Sequence, residues 1–250
     1  MERTALPRAV GVGRWQEARL VALRDESASA RTLRFDVPDW PGHLPGQHVD
    51  LRLTAEDGYT AQRSYSLSAP PDGNHIEVTV QVVPDGEVSP YLVEDMQPGD
   101  ALEVLGPVGG WFVWRPEAAE PVLLIGGGSG VAPLRAIWKA RASAGIASPA
   151  RLLYSVRTPG DLLFSDELLT APGVAVLYTR GAPPDSPRAP HRIDADDLDA
   201  HGLSPHGADG PPTCYVCGPT PFVEAVTQML IETGHAAARI RAERFGATGG

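Results

Sequence analysis

Four short stretches of the chain gather side chains able to do chemistry. "RSYSLSAP" at 63–70 sets a fixed cation, Arg63, two residues from a flat ring, Tyr65, with the hydroxyls of Ser64 and Ser66 beside them. A guanidinium grips phosphate through paired charge-assisted hydrogen bonds, and a phenol ring offers a face for stacking. Taken alone, the same residues also suit an ordinary exposed strand. "LLIGGGSGVAP" runs an apolar segment into Gly126, Gly127, Gly128, Ser129 and Gly130. Glycines there let backbone N–H groups approach an anion, and a following helix N-terminus adds partial positive charge. Val131 spoils a clean G-x-G-x-x-G, so a purely structural tight turn stays open as a reading. "YVCGPTP" puts Cys217, Gly218 and Pro219 at the end of an apolar run, and "ERFGATGG" brings Glu243 and Phe245 near the end of the chain.

The two cysteines, Cys214 and Cys217, have C-x-x-C spacing. A dithiol of the thioredoxin kind sits at a helix N-terminus, whereas strand alternation sends these two side chains to opposite faces. A structural zinc needs four ligands, and His191, His201 and His206 are scattered through a polar, Pro-rich loop without ligand spacing. No metal site is expected. Two cysteines exclude a disulfide framework and point to a reducing, cytoplasmic compartment.

The elements that must position these groups fall into two grammars. Residues 14–115 carry short alternating runs, "RLVAL", "TLRFDV", "HVDLRL", "IEVTVQVV" and "ALEVLG", separated by Pro/Gly/Asp turns, which predicts a small antiparallel β-barrel. Ile76, Val78, Val80 and Val82 share one face of their strand. A short helix is expected at "SPYLVEDM", with Ser89 as its N-cap and Pro90 as its first residue. From Pro116 to the end, residues 116–250, continuous apolar strands alternate with helices, the pattern of a parallel sheet covered on both faces. One helix is expected from near Pro133 to Gly145. In the last helix Phe222, Val226, Met229 and Leu230 form a core stripe. Residues 1–13 read as a loose tail.

Composition narrows the classes. The chain has 250 residues, 42% hydrophobic and 21% charged, which suits a globular protein of two domains. A formal net charge of −10 argues against non-specific nucleic-acid binding. No apolar run reaches the roughly 18 residues of a membrane span, and "MERTALPRAVGVGRW" lacks the apolar core of a secretory signal. Basic residues are almost all arginine, Lys139 being the lone lysine, so arginine counts say less than arginine positions.

Taken in order, "RSYSLS", "DGEVSPYL", "GGGSGVAP", "YVCGP" and "ERFG" resemble the ferredoxin–NADP reductase family of flavoproteins, from about residue 15 to 246. The resemblance implies an antiparallel Greek-key β-barrel that binds flavin, followed by a Rossmann-like domain for a nicotinamide nucleotide. It implies that Arg63 pairs with the flavin pyrophosphate, that Tyr65 stacks on the isoalloxazine, and that Ser66 bonds near its reactive nitrogen, with Ser64, Val80, Val82 and Val88 around them. Gly86 and Ser89 match the family's G-x-x-S phosphate turn. Gly127, Gly128, Ser129 and Gly130 would hold the nicotinamide cofactor's pyrophosphate, and Cys217, Gly218 and Pro219 would lie beside the nicotinamide. Glu243 and Phe245 would close the site, although the plant-type terminal tyrosine is absent.

The implied activity is hydride transfer from NADPH to FAD, then electron delivery to a separate acceptor: a ferredoxin, an oxygenase component or a small molecule. The chain lacks the four-cysteine cluster of a fused iron–sulfur domain. FAD is favoured over FMN on the family alone. NADPH is favoured over NADH because Arg157 stands after the second strand of the second half, where an NAD site places an acid, with Thr179 and Arg180 after the next strand and Arg188 and Arg192 beyond. The alternative is a non-catalytic nucleotide-binding or partner-docking module on the same fold.

Overall fold

The structure, a computed structural model, describes residues 13–245. The expected N-terminal tail thus falls outside the described residues except for Gly13, as does the "GATGG" end.

Six strands form the first sheet: β1 (Gln16–Ser27), β2 (Ala30–Asp36), β3 (His48–Thr54), β4 (Thr60–Ser66), β5 (His75–Gln81) and β6 (Ala101–Val108). They are antiparallel in the order β4-β3-β6-β1-β2-β5, with β6 returning between β1 and β3 in Greek-key fashion. Alternation places Leu33, Phe35, Val49, Leu51, Ile76, Val78, Val80 and Val104 in one buried core. Each such side chain contributes about 1.5–3 kcal/mol on burial, and a one-residue slip would turn the whole set outward, so the register is tightly specified. The edge strands β4 and β5 meet through the Leu67–Val78 bridge and the Ser68 N–H bond to the Glu77 carbonyl, 2.8 Å.

A short helix, Tyr91–Asp95, plugs one end of the barrel with Leu92, Val93 and Met96. It carries no side-chain cap. Ser89, expected to be the N-cap, instead accepts a hydrogen bond from the Val83 N–H at 3.0 Å. The hydroxyl therefore closes the "VPDGEVS" turn on itself rather than capping the helix that follows.

The second sheet is parallel, in the order β11-β10-β7-β8-β9. Its strands are β7 (Val122–Gly127), β8 (Ala150–Val156), β9 (Val174–Tyr178), β10 (Thr213–Pro219) and β11 (Ile240–Phe245). Leu124, Tyr154, Tyr215 and Cys217 face one core, while Leu123, Leu153, Cys214 and Val216 face the other. The two cysteines are free and on opposite faces, as alternation requires. Helix α1 (Val131–Ser143) starts two residues before Pro133. Helix α2 (Ser165–Leu168) is a single turn, and α3 (Ala195–His201) begins in a reciprocal cap between Asp194 and Asp197. In α4 (Thr220–Glu232) the buried stripe is Val223, Val226 and Leu230, with Phe222 and Met229 only partly buried. Phe222 packs against the same core, and its ring also covers Gly127 and Gly218, where a Cβ would stand 2.7–2.8 Å from it.

Candidate active site at the junction of the two sheets

The barrel contributes the ends of β3 and β4. In their antiparallel register His48 faces Ser66, Val49 faces Tyr65 and Leu51 faces Arg63. Arg63 and Tyr65 thus share a face with core residues at a margin where the barrel edge is open. Tyr65 is half-buried against that core, and burial pushes its phenol pKa up to about 12 despite the nearby Arg63 charge. The ring stays neutral and presents a flat apolar surface. The Arg63 guanidinium is half exposed; it bonds the Gln62 carbonyl at 2.7 Å and stands 3.6 Å from the Glu87 carboxylate. An exposed pair at that distance is worth under about 1 kcal/mol, so the cation is available to a stronger anion. Ser64 points the other way and donates to Asp50. Val80, Val88 and Ser89 are buried, while Val82 and Gly86 are half-buried. A Cβ on Gly86 would stand 3.0 Å from the Val83 carbonyl oxygen, so that turn admits little else.

The second sheet contributes the carboxyl ends of β7, β10 and β11. Gly130 lies against the backbone of Cys217 and Gly218, where a Cβ would overlap the Cys217 carbonyl. Gly126, Gly127 and Gly130 are buried, and contacts with Leu134, Phe222 and Cys217 account for them. Gly128 is different: its φ is +56° and nothing lies within 4 Å of the place a Cβ would take. The glycine loop therefore admits both readings, with packing fixing its two ends while Gly128 faces open space beside the half-buried Ser129. Parallel pairing sets Cys217 opposite Glu243, Gly218 opposite Arg244 and Pro219 opposite Phe245.

These two sets meet. The Glu243 carboxylate comes within 3.7 Å of His48 Nδ1 across the boundary between the sheets. Burial raises the Glu243 pKa to about 7 and lowers that of His48. Near neutral pH the contact is therefore not a formed ion pair. Glu243 Oε2 is buried with no hydrogen-bond partner among the described residues. An orphaned carboxylate oxygen in such a place normally has an absent partner. Cys217 is 1% exposed, within the core at the carboxyl end of β10. Burial, with the Glu243 charge next to it, holds its thiol well above the ordinary range. It is a neutral floor residue, not a thiolate. Phe245 is exposed at the end of β11.

At the far side of the sheet, Arg157 and Arg180 are both exposed, and the Arg180 N–H donates to the Arg157 carbonyl at 2.9 Å. Two guanidinium chains thus start from adjacent points at the carboxyl ends of β8 and β9, with the half-buried Thr179 beside them. Arg157 pairs with Asp161 at 2.8 Å. Arg188, placed in this group from sequence, is otherwise engaged: it binds Asp197 through Nε and Nη2 at 2.6 and 2.7 Å and the Tyr178 carbonyl at 2.9 Å. His191, Asp194 and Asp197 gather possible ligand atoms. Arg188 and the cap of α3 already satisfy Asp197, so this cluster is a loop clasp.

The residues present suit a flat, anionic dinucleotide at the barrel edge. They offer a weakly paired cation and a neutral ring face on β4, an open glycine at positive φ after β7, and an orphaned carboxylate oxygen on β11. His48 was missed in the sequence. Its signal was faint: it opens "HVDLRL" on the β3 face opposite Ser66, a position visible only once β3 and β4 are paired.

Fold and site together define a two-domain nucleotide-binding oxidoreductase, a barrel followed by a parallel sheet. Residues 17–113 match the oxidoreductase FAD-binding domain and residues 124–228 the oxidoreductase NAD-binding domain. The chain is 32% identical over 240 residues to ferredoxin–NADP reductase B of Sorangium cellulosum, covering 92% of this chain and 97% of that one. It is 33% identical over 241 residues to the glycine betaine monooxygenase reductase subunit of Chromohalobacter salexigens, covering 92% of this chain and 64% of that protein. The chain thus spans about two thirds of some relatives and nearly all of others. The FAD/NAD-binding domain of nitric oxide dioxygenase from Vibrio cholerae O1 biovar El Tor superposes with a TM-score of 0.81 at 25% identity, over 92% of this chain and 98% of that one. The chain belongs to the ferredoxin–NADP reductase family of FAD- and NAD(P)-binding oxidoreductases. No helix among the described residues is long and apolar enough to cross a membrane.

Proposed function

We propose that the protein is an NAD(P)H-dependent FAD reductase that passes electrons to a separate acceptor, an oxygenase component or a ferredoxin, in the cytoplasm. A bound flavin would supply the redox chemistry, taking two electrons from the nicotinamide as hydride and releasing them onward. The chain's residues would bind, orient and keep water out. Arg63 would neutralise the flavin pyrophosphate, Tyr65 would lie against the ring system, and Ser66 with His48 would border its reactive edge. Gly128 and Ser129 would receive the second nucleotide's phosphates, and Arg157, Thr179 and Arg180 would meet a 2′-phosphate. Glu243 and Phe245 would line the approach, with Cys217, Gly218 and Pro219 beneath.

The observation that carries this reading is the meeting of His48 with Glu243 at 3.7 Å. It ties the carboxyl end of the nicotinamide-type sheet to the strand pair bearing Ser66 and Tyr65, and hydride transfer needs its two partners within about 3–3.5 Å. The free cysteines and the names of the relatives support the compartment and the acceptor class. The test is anaerobic addition of NADPH to the purified protein. A yellow protein that bleaches, then recovers its colour on addition of an oxidised ferredoxin or an oxygenase component, supports the proposal. A yellow protein that NADPH and NADH leave unchanged defeats it.

A further inference from the structure

Six residues close a ring of contacts across the boundary between the two sheets. The Glu26 side chain, near the end of β1, is 4% exposed and turns one carboxylate oxygen toward each domain. Oε1 accepts from the Thr32 hydroxyl at 2.6 Å, and Oε2 accepts from the Phe164 N–H at 2.9 Å. Thr32 and Thr79 are partners in the β2–β5 register, with hydroxyls 2.8 Å apart, and Thr79 donates onward to the Ser68 hydroxyl at 3.0 Å. The Ser68 carbonyl accepts from Arg135, whose guanidinium lies over the Phe164 ring. The contacts thus return to Phe164. Thr32, Thr79, Ser68, Arg135 and Phe164 are all buried, so each link is shielded from water and from salt.

Both sides of this ring adjoin groups already placed at the site. Ser68 stands two residues beyond Ser66. Phe164 ends the segment that begins at Arg157, and Asp161 between them accepts from Arg157 at 2.8 Å and from the Thr158 hydroxyl at 2.6 Å. Phe164 has a φ of +56°. A bulky side chain keeps that left-handed backbone only where its surroundings over-determine it; here Glu26 holds the N–H and Arg135 the ring. We propose that Glu26 is a positioning residue for hydride transfer, tying the 157–164 segment, through Phe164, to the end of the flavin strand, through Thr32, Thr79 and Ser68. This rests on the proposed function, which sets the nucleotide at that segment and the flavin at that strand. A carboxylate suits the place because it accepts on both oxygens. Glutamine would keep the Phe164 bond through its oxygen and donate through its amide to Thr32, whose hydroxyl can turn to accept; alanine would lose both links.

The test combines hydrogen exchange on the flavin-free full chain with rapid-mixing bleaching of the loaded enzyme at saturating NADPH, in Glu26→Ala, Glu26→Gln and Thr79→Val. Glu26→Ala should raise exchange at residues 162–168 and also at residues 67–70, across the boundary. Thr79→Val leaves the Glu26–Phe164 bond in place, so raised exchange at 162–168 in this variant reads coupling through the ring. Flavin should stay bound in all three. The limiting bleaching rate should fall about tenfold in Glu26→Ala and about threefold in Thr79→Val, and stay within about twofold of wild type in Glu26→Gln, since small displacements of the reacting partners are costly. Exchange changes confined to the mutated side of the boundary, or wild-type bleaching in both Glu26→Ala and Thr79→Val, would overturn the positioning role and leave the proposed function intact. A wild type that neither NADPH nor NADH bleaches would defeat the proposed function instead, and the role in hydride transfer with it.

Discussion

Arg135 Nη1 donates to the carbonyl oxygen of Ser68 at 2.8 Å, linking the helix behind the glycine loop to the residue just past the "RSYS" strand. Arg135 is 3% exposed; its Nε bonds Glu167 at 2.9 Å, Glu77 lies 3.6 Å away, and its guanidinium carbon sits 4.4 Å over the Phe164 ring. Nearby, Glu26 accepts from the Phe164 N–H at 2.9 Å, a second polar tie between barrel and parallel sheet. Such ties hold the two halves of the site at one separation.

Arg135→Met should therefore do more than weaken the fold. Removing the buried guanidinium leaves the Ser68 carbonyl without its donor, at a cost of about 1–3 kcal/mol, while Glu77 keeps Arg34 and Glu167 keeps Lys139. Arg135→Lys keeps the charge but not the fork that reaches Glu167 and Ser68 together. The lysine variant is expected to retain flavin, lose several degrees of thermal stability, and reduce its flavin more slowly at saturating NADPH. Thermal melts and rapid-mixing bleaching check this. Bleaching at the wild-type rate in a destabilised Arg135→Lys protein would show that the tie supports the fold only.

Arg63→Ala should weaken flavin retention roughly ten- to a hundredfold, the loss of a charge-assisted interaction of about 1.5–3 kcal/mol. The Arg63–Glu87 pair is too exposed to matter for stability, so the melting temperature of the flavin-free protein should stay put. Flavin occupancy after dialysis, read from the absorbance ratio, is the measurement; full occupancy in the variant would remove Arg63 from the site.

Much of this was legible in the sequence, for reasons that differ between elements. The strands of both sheets announced themselves because each face demands one hydrophobic period: Val78 and Val80 alternate toward a single core, whereas Leu123 and Leu124 serve two. Single residues were harder where tertiary contacts decide. Ser89 has the right type and place for a helix cap, yet its hydroxyl turns back to Val83. Phe222 fits the apolar stripe of α4, but the two glycines that its ring also covers are not paired with it by the sequence. Arg188 looks like a free cation until Asp197 is seen beside it. His48 and Arg135 gain meaning only from partners far away in the chain, Glu243 and Ser68.

The pair of exposed guanidiniums at the ends of β8 and β9 predicts a cofactor preference. Arg180→Ala should lower kcat/KM for NADPH about tenfold and leave that for NADH nearly unchanged, since only the former carries a 2′-phosphate. Phe245→Ala, if that ring borders the nicotinamide approach, should raise KM for both nucleotides while flavin stays bound. Steady-state kinetics with each nucleotide separates the two effects. A higher kcat/KM for NADH than for NADPH, unaltered by Arg180→Ala, would leave both arginines as plain surface residues.

Glu243 gives the sharpest pH dependence. Burial raises its carboxyl from an ordinary 4.5 to about 7, and Cys217 and His48, the groups beside it, are both neutral at that pH. A raised folded-state pKa means that the native chain holds a proton the unfolded chain has released. The associated stability is complete below about pH 4.5 and is lost as pH rises through about 7. Glu243→Gln, which cannot ionise, lacks this loss. Urea unfolding of the flavin-free proteins should therefore show wild type falling behind Glu243→Gln between those pH values, by an amount on the order of 3 kcal/mol. A protonated carboxyl facing His48 can donate a hydrogen bond at the junction that its ionised form cannot. Bleaching by NADPH should accordingly slow as that carboxyl ionises in wild type and lose that step in Glu243→Gln, with Cys217→Ala, which removes only packing beneath, keeping the wild-type pH profile. A wild-type profile in Glu243→Gln as well would separate the carboxyl from the hydride step and leave its raised pKa as a property of the fold.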